Sequence, residues 1–320
     1  MTTAYAPGKV ILFGEHAVVY GRPAIAVPVT QVRACAMVED GPLGQGVIID
    51  ATDLHLRHQA GDPVPATSPA YALEATVRNA LQRLGIGGLP DLTLTVSSTV
   101  PIASGMGSGA AVATAIVRAL AQHVGQALSP AEVSQLVYQT EVIHHGTPSG
   151  IDNTVIAFEQ PVFFVRGKPI ETLQVGRPFW LVIGDTGSQS PTKDVVGDVR
   201  RAWQAEPEKY EALFDRIGAV ATRAGRAIEQ GRPSALGELM DENQELLQAI
   251  GVSSPQLEKL IHSARTAGAM GAKLCGAGRG GNMIALVARA KAQRVADMLR
   301  TAGAVNFVIS EVGAASSMSG

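Results

Sequence analysis

Two carboxylates, Glu141 and Asp152, stand in the stretch EVIHHGTPSGIDN (141–153). Phosphoryl transfer from a nucleotide needs a metal ligand and a group that positions or deprotonates the acceptor hydroxyl. One carboxylate late in a helix and another in the loop after it can divide those jobs. Read alone, the segment equally fits Glu141 on a solvated helix face and Asp152 in an Asx-type turn, and spacing by itself favours that plainer alternative. His144 and His145 do not make a metal site, because adjacent helical residues point about 100° apart and no HExxH occurs. A favourable interaction with the helix C-terminus is the better expectation for them.

A phosphate would need its own cradle. PIASGMGSGAA (101–111) places Gly105, Gly107 and Gly109 at alternate positions just before a helix. Glycines let backbone N–H groups face an anion, and the helix N-terminus adds about half a positive charge. The loop is not a Walker A motif, since no lysine follows it. It matches GxGxxA, and GAGRGG (276–281) matches GxGxxG. Two such matches in one chain carry little weight as dinucleotide fingerprints. Near the N-terminus, Lys9 with Glu15 and His16 can line a cleft, and a lysine stabilises charge on a transferring phosphoryl group. A surface lysine at a strand start is the alternative. The four glycines of 276–281 exceed what a tight hairpin needs, which suggests close approach of a ligand or of another segment.

The elements that must carry these residues follow from periodicity. Lys9–Phe13 reads as a strand, and Leu92, Leu94 and Val96 alternate with polar residues as in a half-buried strand. Val112, Ile116, Leu120 and Val124 form one face of the helix behind the first glycine loop. Leu73, Val77, Leu81 and Leu84 form another helical face. Ser129-Pro130-Ala131-Glu132 is a capping box with proline at the first helical position, and Gly146 is placed to end that helix. Long helices dominate 194–268, with Ser254-Pro255 opening the last. A boundary near 177 divides the chain into 1–177 and 178–320, and the final AASSMSG reads as a frayed tail.

Composition excludes several classes. The net charge of -2 gives no footprint for nucleic acid or an anionic membrane. No apolar run is long enough to span a bilayer, and the N-terminus does not read as a signal peptide. Cys35 and Cys275 form no metal pattern and fit a reduced compartment. A soluble cytoplasmic protein is expected.

Taken together, PGKVILFGEHAVVYG (7–21), PIASGMGSGAA (101–111) and KLCGAGRGGN (273–282) resemble the three ordered motifs of the GHMP small-molecule kinase superfamily. They span the chain from end to end. Lys9, the apolar Ala17 to Val19 after His16, HGTPSGIDN (145–153) and MDENQELLQAIGV (240–252) make the mevalonate kinases the branch it resembles most. The resemblance implies an α+β, two-domain fold: an N-terminal domain like the second domain of ribosomal protein S5, then a ferredoxin-like domain. It implies transfer of the γ-phosphoryl group of ATP to the C5 hydroxyl of mevalonate, with Mg²⁺. Asp152 would be the base or would orient that hydroxyl, and Lys9, close to Asp152, would stabilise charge. Glu141 would ligate Mg²⁺, with Ser108 as a further ligand. Pro101, Ser104, Gly105, Met106, Gly107, Ser108, Gly109 and Ala110 would hold the ATP phosphates. Glu15, His16, Ser149, Thr192, Gly276 and Ala277 would bind or orient substrate. A homodimer is expected.

Two positions depart from the family pattern. Paired serines are common in the second motif, where this chain has Ser108-Gly109. Magnesium tolerates water ligands, so the change does not imply inactivation. Glycine is usual where this chain has Arg279, which could meet phosphate or face solvent. The alternatives to mevalonate are another acceptor (phosphomevalonate, a sugar or homoserine) and a non-catalytic regulator on the same fold. Hydride transfer on NAD rests only on the two glycine patterns.

Overall fold

The structure is a computed structural model, and it describes residues 1–101, 104–145, 148–188 and 191–313. Gly146, the expected helix stop, and the 314–320 tail lie outside the described residues, as do the side chains of His144 and His145.

Two compact units make up the chain, each discontinuous in sequence. Met1–Gly8, Val32–Ile102 and Met106–Glu159 form the first; Lys9–Gln31, Ala103–Gly105 and Gln160–Gly320 form the second. The discontinuity arises because β1 (Thr2–Phe13) and β2 (Ala24–Asp40) are long paired strands, and each gives one end to each unit.

In the first unit, β3 (Val47–Ala51), β4 (Leu56–Gln59) and β5 (Leu92–Ser98) join β2 in the order β4-β3-β5-β2. β3 runs parallel to β5, and the other neighbours are antiparallel. Leu92, Leu94 and Val96 are buried while the intervening threonines are half-buried, as the alternation requires. Four helices follow: α1 (Pro69–Arg83), α2 (Ser108–His123), α3 (Pro130–His145) and α4 (Ile151–Phe158). Ser68 Oγ accepts from Ala70 N at 3.3 Å to start α1. The expected capping box starts α3: Ser129 N donates to Glu132 Oε2 at 2.8 Å, and Glu132 N to Ser129 Oγ at 3.3 Å. α2 is alanine-rich and buried on most sides, so α1, α3 and α4 all pack against it. Its Ile116 and Leu120 are fully buried, each stabilising the unit by roughly 1.5–3 kcal/mol.

The second unit holds the N-terminal end of β2 against β6 (Val162–Phe164), which pairs with β7 (Glu171–Thr172). Its main sheet is antiparallel: β8 (Phe179–Asp185), β9 (Gly271–Cys275), β10 (Asn282–Val287) and β11 (Asn306–Val312), ordered β11-β8-β10-β9. Between β8 and β9 run α5 (Thr192–Ala205), α6 (Pro207–Glu229), α7 (Pro233–Ala249) and α8 (Pro255–Thr266); α9 (Ala292–Ala302) joins β10 to β11. α8 and α9 pack on this sheet. Strand order and crossovers are those of the ferredoxin-like β-α-β-β-α-β unit. Proline opens α6, α7 and α8 at the position where its missing N–H costs nothing. Among the described residues, no helix is long and apolar enough to cross a membrane.

Candidate active site

In the first unit, the glycine loop delivers an uncapped helix end. Gly107 is the N-cap of α2 in the left-handed region (φ 73°), and no side chain caps the helix. The first intrahelical bond runs from Ala111 N to Gly107 O. The N–H groups of Ser108, Gly109 and Ala110 therefore have no helical acceptor. Gly109 is exposed, Ser108 half-buried and Ala110 buried. Met106 is buried and Pro101 half-buried.

Glu141 is buried on α3, which overturns the solvated helix face. Asp152 lies in the first turn of α4 rather than in a loop, behind Gly150 as left-handed N-cap. A carboxylate there complements the helix macrodipole. The Asx-turn alternative therefore does not hold. Ser149 sits just before this turn, with Oγ accepting from Ile151 N at 3.4 Å. α4 is fixed to α3 by its next residue: Asn153 Nδ2 donates to Ser134 Oγ at 2.9 Å and to Ser134 O at 3.1 Å.

The second unit gathers the remaining residues. Lys9 is buried inside β1, which begins at Thr2, so it is not a surface lysine at a strand start. Glu15 is fully buried and accepts from Lys273 Nζ, with Asn243 Nδ2 donating to its other oxygen at 3.4 Å. Burial pushes the Glu15 carboxyl up, and Lys273 opposes that shift. His16 Nε2 lies 2.9 Å from Ala277 O. A carbonyl can only accept, so Nε2 carries the proton. Burial chiefly, with Arg279 adding repulsion, lowers the imidazole to about 4. His16 is thus a neutral donor near pH 7. Cys275, the last residue of β9, is buried and its thiol is pushed up to about 11.

The third motif runs from β9 into β10, and its six-residue loop, 276–281, closes their hairpin, with Asn282 opposite Cys275. A Cβ on Gly276 would meet nothing within 4 Å, so that position faces open space. Asn282 Nδ2 donates to Ser104 O at 2.6 Å, which ties the buried Ser104 to the end of the loop. Gly105 is exposed with φ 76°. Thr192 is exposed at the first position of α5.

Sequence reading assigned no role to Lys273, Asn243 or Asn282. Lys273 had one usable signal, a cation inside the apolar run AKLC of a strand, which demands a buried partner. Nothing in spacing points from it to Glu15.

Two family models match the chain, GHMP kinases N terminal domain over residues 70–160 and GHMP kinases C terminal over 226–305. A mevalonate kinase of Pyrococcus horikoshii is 35% identical over 326 residues, covering 95% of this chain and 94% of that protein. The chain belongs to the GHMP kinase family. Its GHMP kinase fold superposes on the crystal structure of L. major mevalonate kinase in complex with R-mevalonate (TM-score 0.82, 28% identity, 98% and 96% coverage). The mevalonate kinase of methicillin-resistant Staphylococcus aureus is also similar (TM-score 0.73, 31% identity, 98% and 99% coverage).

Proposed function

We propose that this GHMP kinase is an ATP-dependent mevalonate kinase, transferring the γ-phosphoryl group to the C5 hydroxyl of mevalonate for isoprenoid synthesis. One observation carries the site assignment. The uncapped N-terminus of α2, Glu141 on α3 and Asp152 on α4 belong to three helices of one unit that pack on each other. That unit therefore holds an anion cradle and two carboxylates with different burial.

Asp152 takes the proton of the hydroxyl, or orients it, as the oxygen attacks the γ-phosphorus and the bond to ADP breaks. Lys9 stabilises the charge that spreads over the phosphoryl oxygens. Pro101, Ser104 and the 105–110 backbone hold the ATP phosphates. His16, Ser149, Thr192, Gly276 and Ala277 bind the acceptor. Glu15, whose carboxylate is occupied by Lys273 and Asn243, serves the acceptor by holding β9 and its loop.

Glu141 and Ser108 would hold Mg²⁺. No three His, Cys, Asp or Glu side chains cluster as a metal site among the described residues. Mg²⁺ needs only one or two protein ligands beside waters and phosphate oxygens, and a carboxylate with a hydroxyl is the hard oxygen donor set it takes. When bound, the ion neutralises the β- and γ-phosphates.

The chain works as a homodimer in the cytoplasm, with 1–177 and 178–320 as its functional halves. Mass in solution tests the dimer.

The test of function is ADP release with Mg²⁺-ATP and mevalonate, beside phosphomevalonate, galactose and homoserine. Turnover with mevalonate alone is expected. Turnover with a different acceptor would discard the substrate and keep the roles of Asp152, Lys9 and Glu141. Folded protein that binds ATP but turns over nothing would favour a regulator.

A further inference from the structure

Arg279 stands in the loop of the third motif, and its backbone shows that glycine would suit the place. Its φ is 58°, in the left-handed region that non-glycine residues avoid. Four glycines share this six-residue loop, so a fifth would satisfy the backbone at lower cost. A strained side chain kept in such a loop points to a use for that side chain.

The contacts show what the side chain reaches. Arg279 Nη1 pairs with Asp198 on α5. Arg279 Nε approaches Gly251 O at 3.3 Å, and Arg279 N donates to Val252 O at 2.7 Å. The next residue back allows no alternative packing: a Cβ on Gly278 would lie 2.1 Å from Val252 O. Asp198 also pairs with Arg201 on its own helix. The hydrogen bond from Arg279 is the main cause that holds the Asp198 carboxyl below its ordinary range. One guanidinium thus joins three segments of the second unit: the β9–β10 loop, the turn after α7, and α5.

We infer that the Arg279–Asp198 ion pair is a latch that sets the 276–281 glycine loop and the start of α5 for mevalonate. Arg279 is a positioning residue and touches no reacting atom. The inference rests on the proposed function, because Gly276 and Ala277 on the loop and Thr192 on α5 are the acceptor-binding groups it aligns. Both partners are partly exposed, 39% and 34%, so the latch is weak and salt-sensitive.

Arg279→Gly removes the side chain and relieves the backbone at once. A purely structural ion pair predicts lost stability; the latch predicts unchanged or higher thermal stability with poorer substrate use. The full chain, Arg279→Gly, Asp198→Asn and the double variant are compared by steady-state kinetics and by amide hydrogen exchange. Each single variant is expected to raise the KM for mevalonate roughly 2- to 5-fold, the span of an exposed ion pair, with kcat within about twofold. The double variant should be no worse than either single one. Arg279→Lys should recover part of the loss. Exchange should quicken over 276–281 and 192–205 in both single variants. High salt should raise the KM of the wild type and leave that of Arg279→Gly unchanged.

Unchanged exchange in both segments overturns the latch, whatever the kinetics show. Faster exchange with an unchanged mevalonate KM overturns its role toward substrate. Wild-type protein without turnover on mevalonate discards the substrate assignment instead, and exchange alone then decides whether the latch exists.

Discussion

Lys273 Nζ donates to the Glu15 carboxylate where neither side chain reaches solvent, Lys273 being 0% and Glu15 1% exposed. The pair links β9, at the first residue of the third motif, to the segment after β1. Two charges out of water are costly, and their attraction repays that cost only while both are present. Removing one leaves the other stranded. Lys273→Met or Glu15→Leu alone should therefore lose roughly 3–5 kcal/mol of unfolding free energy. Combining Lys273→Met with Glu15→Leu should return most of it. Urea unfolding of the three variants measures this, and strict additivity would sink the reading of a coupled pair.

His16 makes stability depend on pH in a definite direction. Its pKa is lowered from 6.5 to about 4 in the fold. Between those values the unfolded chain binds the proton and the native chain does not, so stability rises with pH across this window. The contribution is complete above pH 6.5 and is lost as pH falls to about 4, a total loss of roughly 3 kcal/mol. His16→Gln keeps an N–H donor for Ala277 O but cannot titrate. Its unfolding free energy should fall less than that of the wild type between pH 7 and pH 4.5. Parallel profiles would mean that the imidazole titrates normally.

Much of this was legible from local pattern. The alternation of 92–96, the Ser129–Glu132 box and the Ser254 cap are contacts within a few residues, so spacing encodes them directly. α4 was not read as a helix. Its eight residues, IDNTVIAF, are no longer than a strand and follow the turn-like Pro-Ser-Gly, so Asp152 read as a loop residue. The partners of Glu15 and Arg279 were also hidden. Lys273 and Asp198 meet them through tertiary packing, and no periodicity connects residues so far apart. The boundary near 177 divides the chain by position. Each compact unit is built from separate stretches of the chain, and no local pattern announces that.

Gly107 and Gly109 should answer substitution in opposite ways. Gly107 is a left-handed N-cap at φ 73°, so Gly107→Ala carries a penalty of about 1–2 kcal/mol. It also turns the first N–H groups of α2, and the KM for ATP should rise. Gly109 lies inside the helix and is exposed. Gly109→Ser should gain a few tenths of a kcal/mol in helix propensity. It also puts a second hydroxyl beside Ser108 and should lower the Mg²⁺ concentration needed for half-maximal rate. Thermal unfolding and Mg²⁺ titration of the rate measure both, and a Gly109→Ser enzyme with an unchanged Mg²⁺ requirement would remove that position from the metal site.

Asp152→Asn separates chemistry from folding. The side chain is half-buried in the first turn of α4. Asparagine keeps its size and gives up the macrodipole interaction of the charged group, about 0.3–1 kcal/mol. The neighbouring Asn153–Ser134 bonds hold α4 on α3 in either case, so the variant should fold and bind ATP. General base catalysis contributes typically 10²–10⁴-fold, and kcat should drop by about that factor with little change in the KM for ATP. A loss of less than about tenfold would reduce Asp152 to orienting the hydroxyl. Glu141→Gln should differ in kind: its rate should recover partly as Mg²⁺ is raised, whereas that of Asp152→Asn should not. Recovery of both by Mg²⁺ would place both carboxylates at the metal and leave the proton of the hydroxyl to another group.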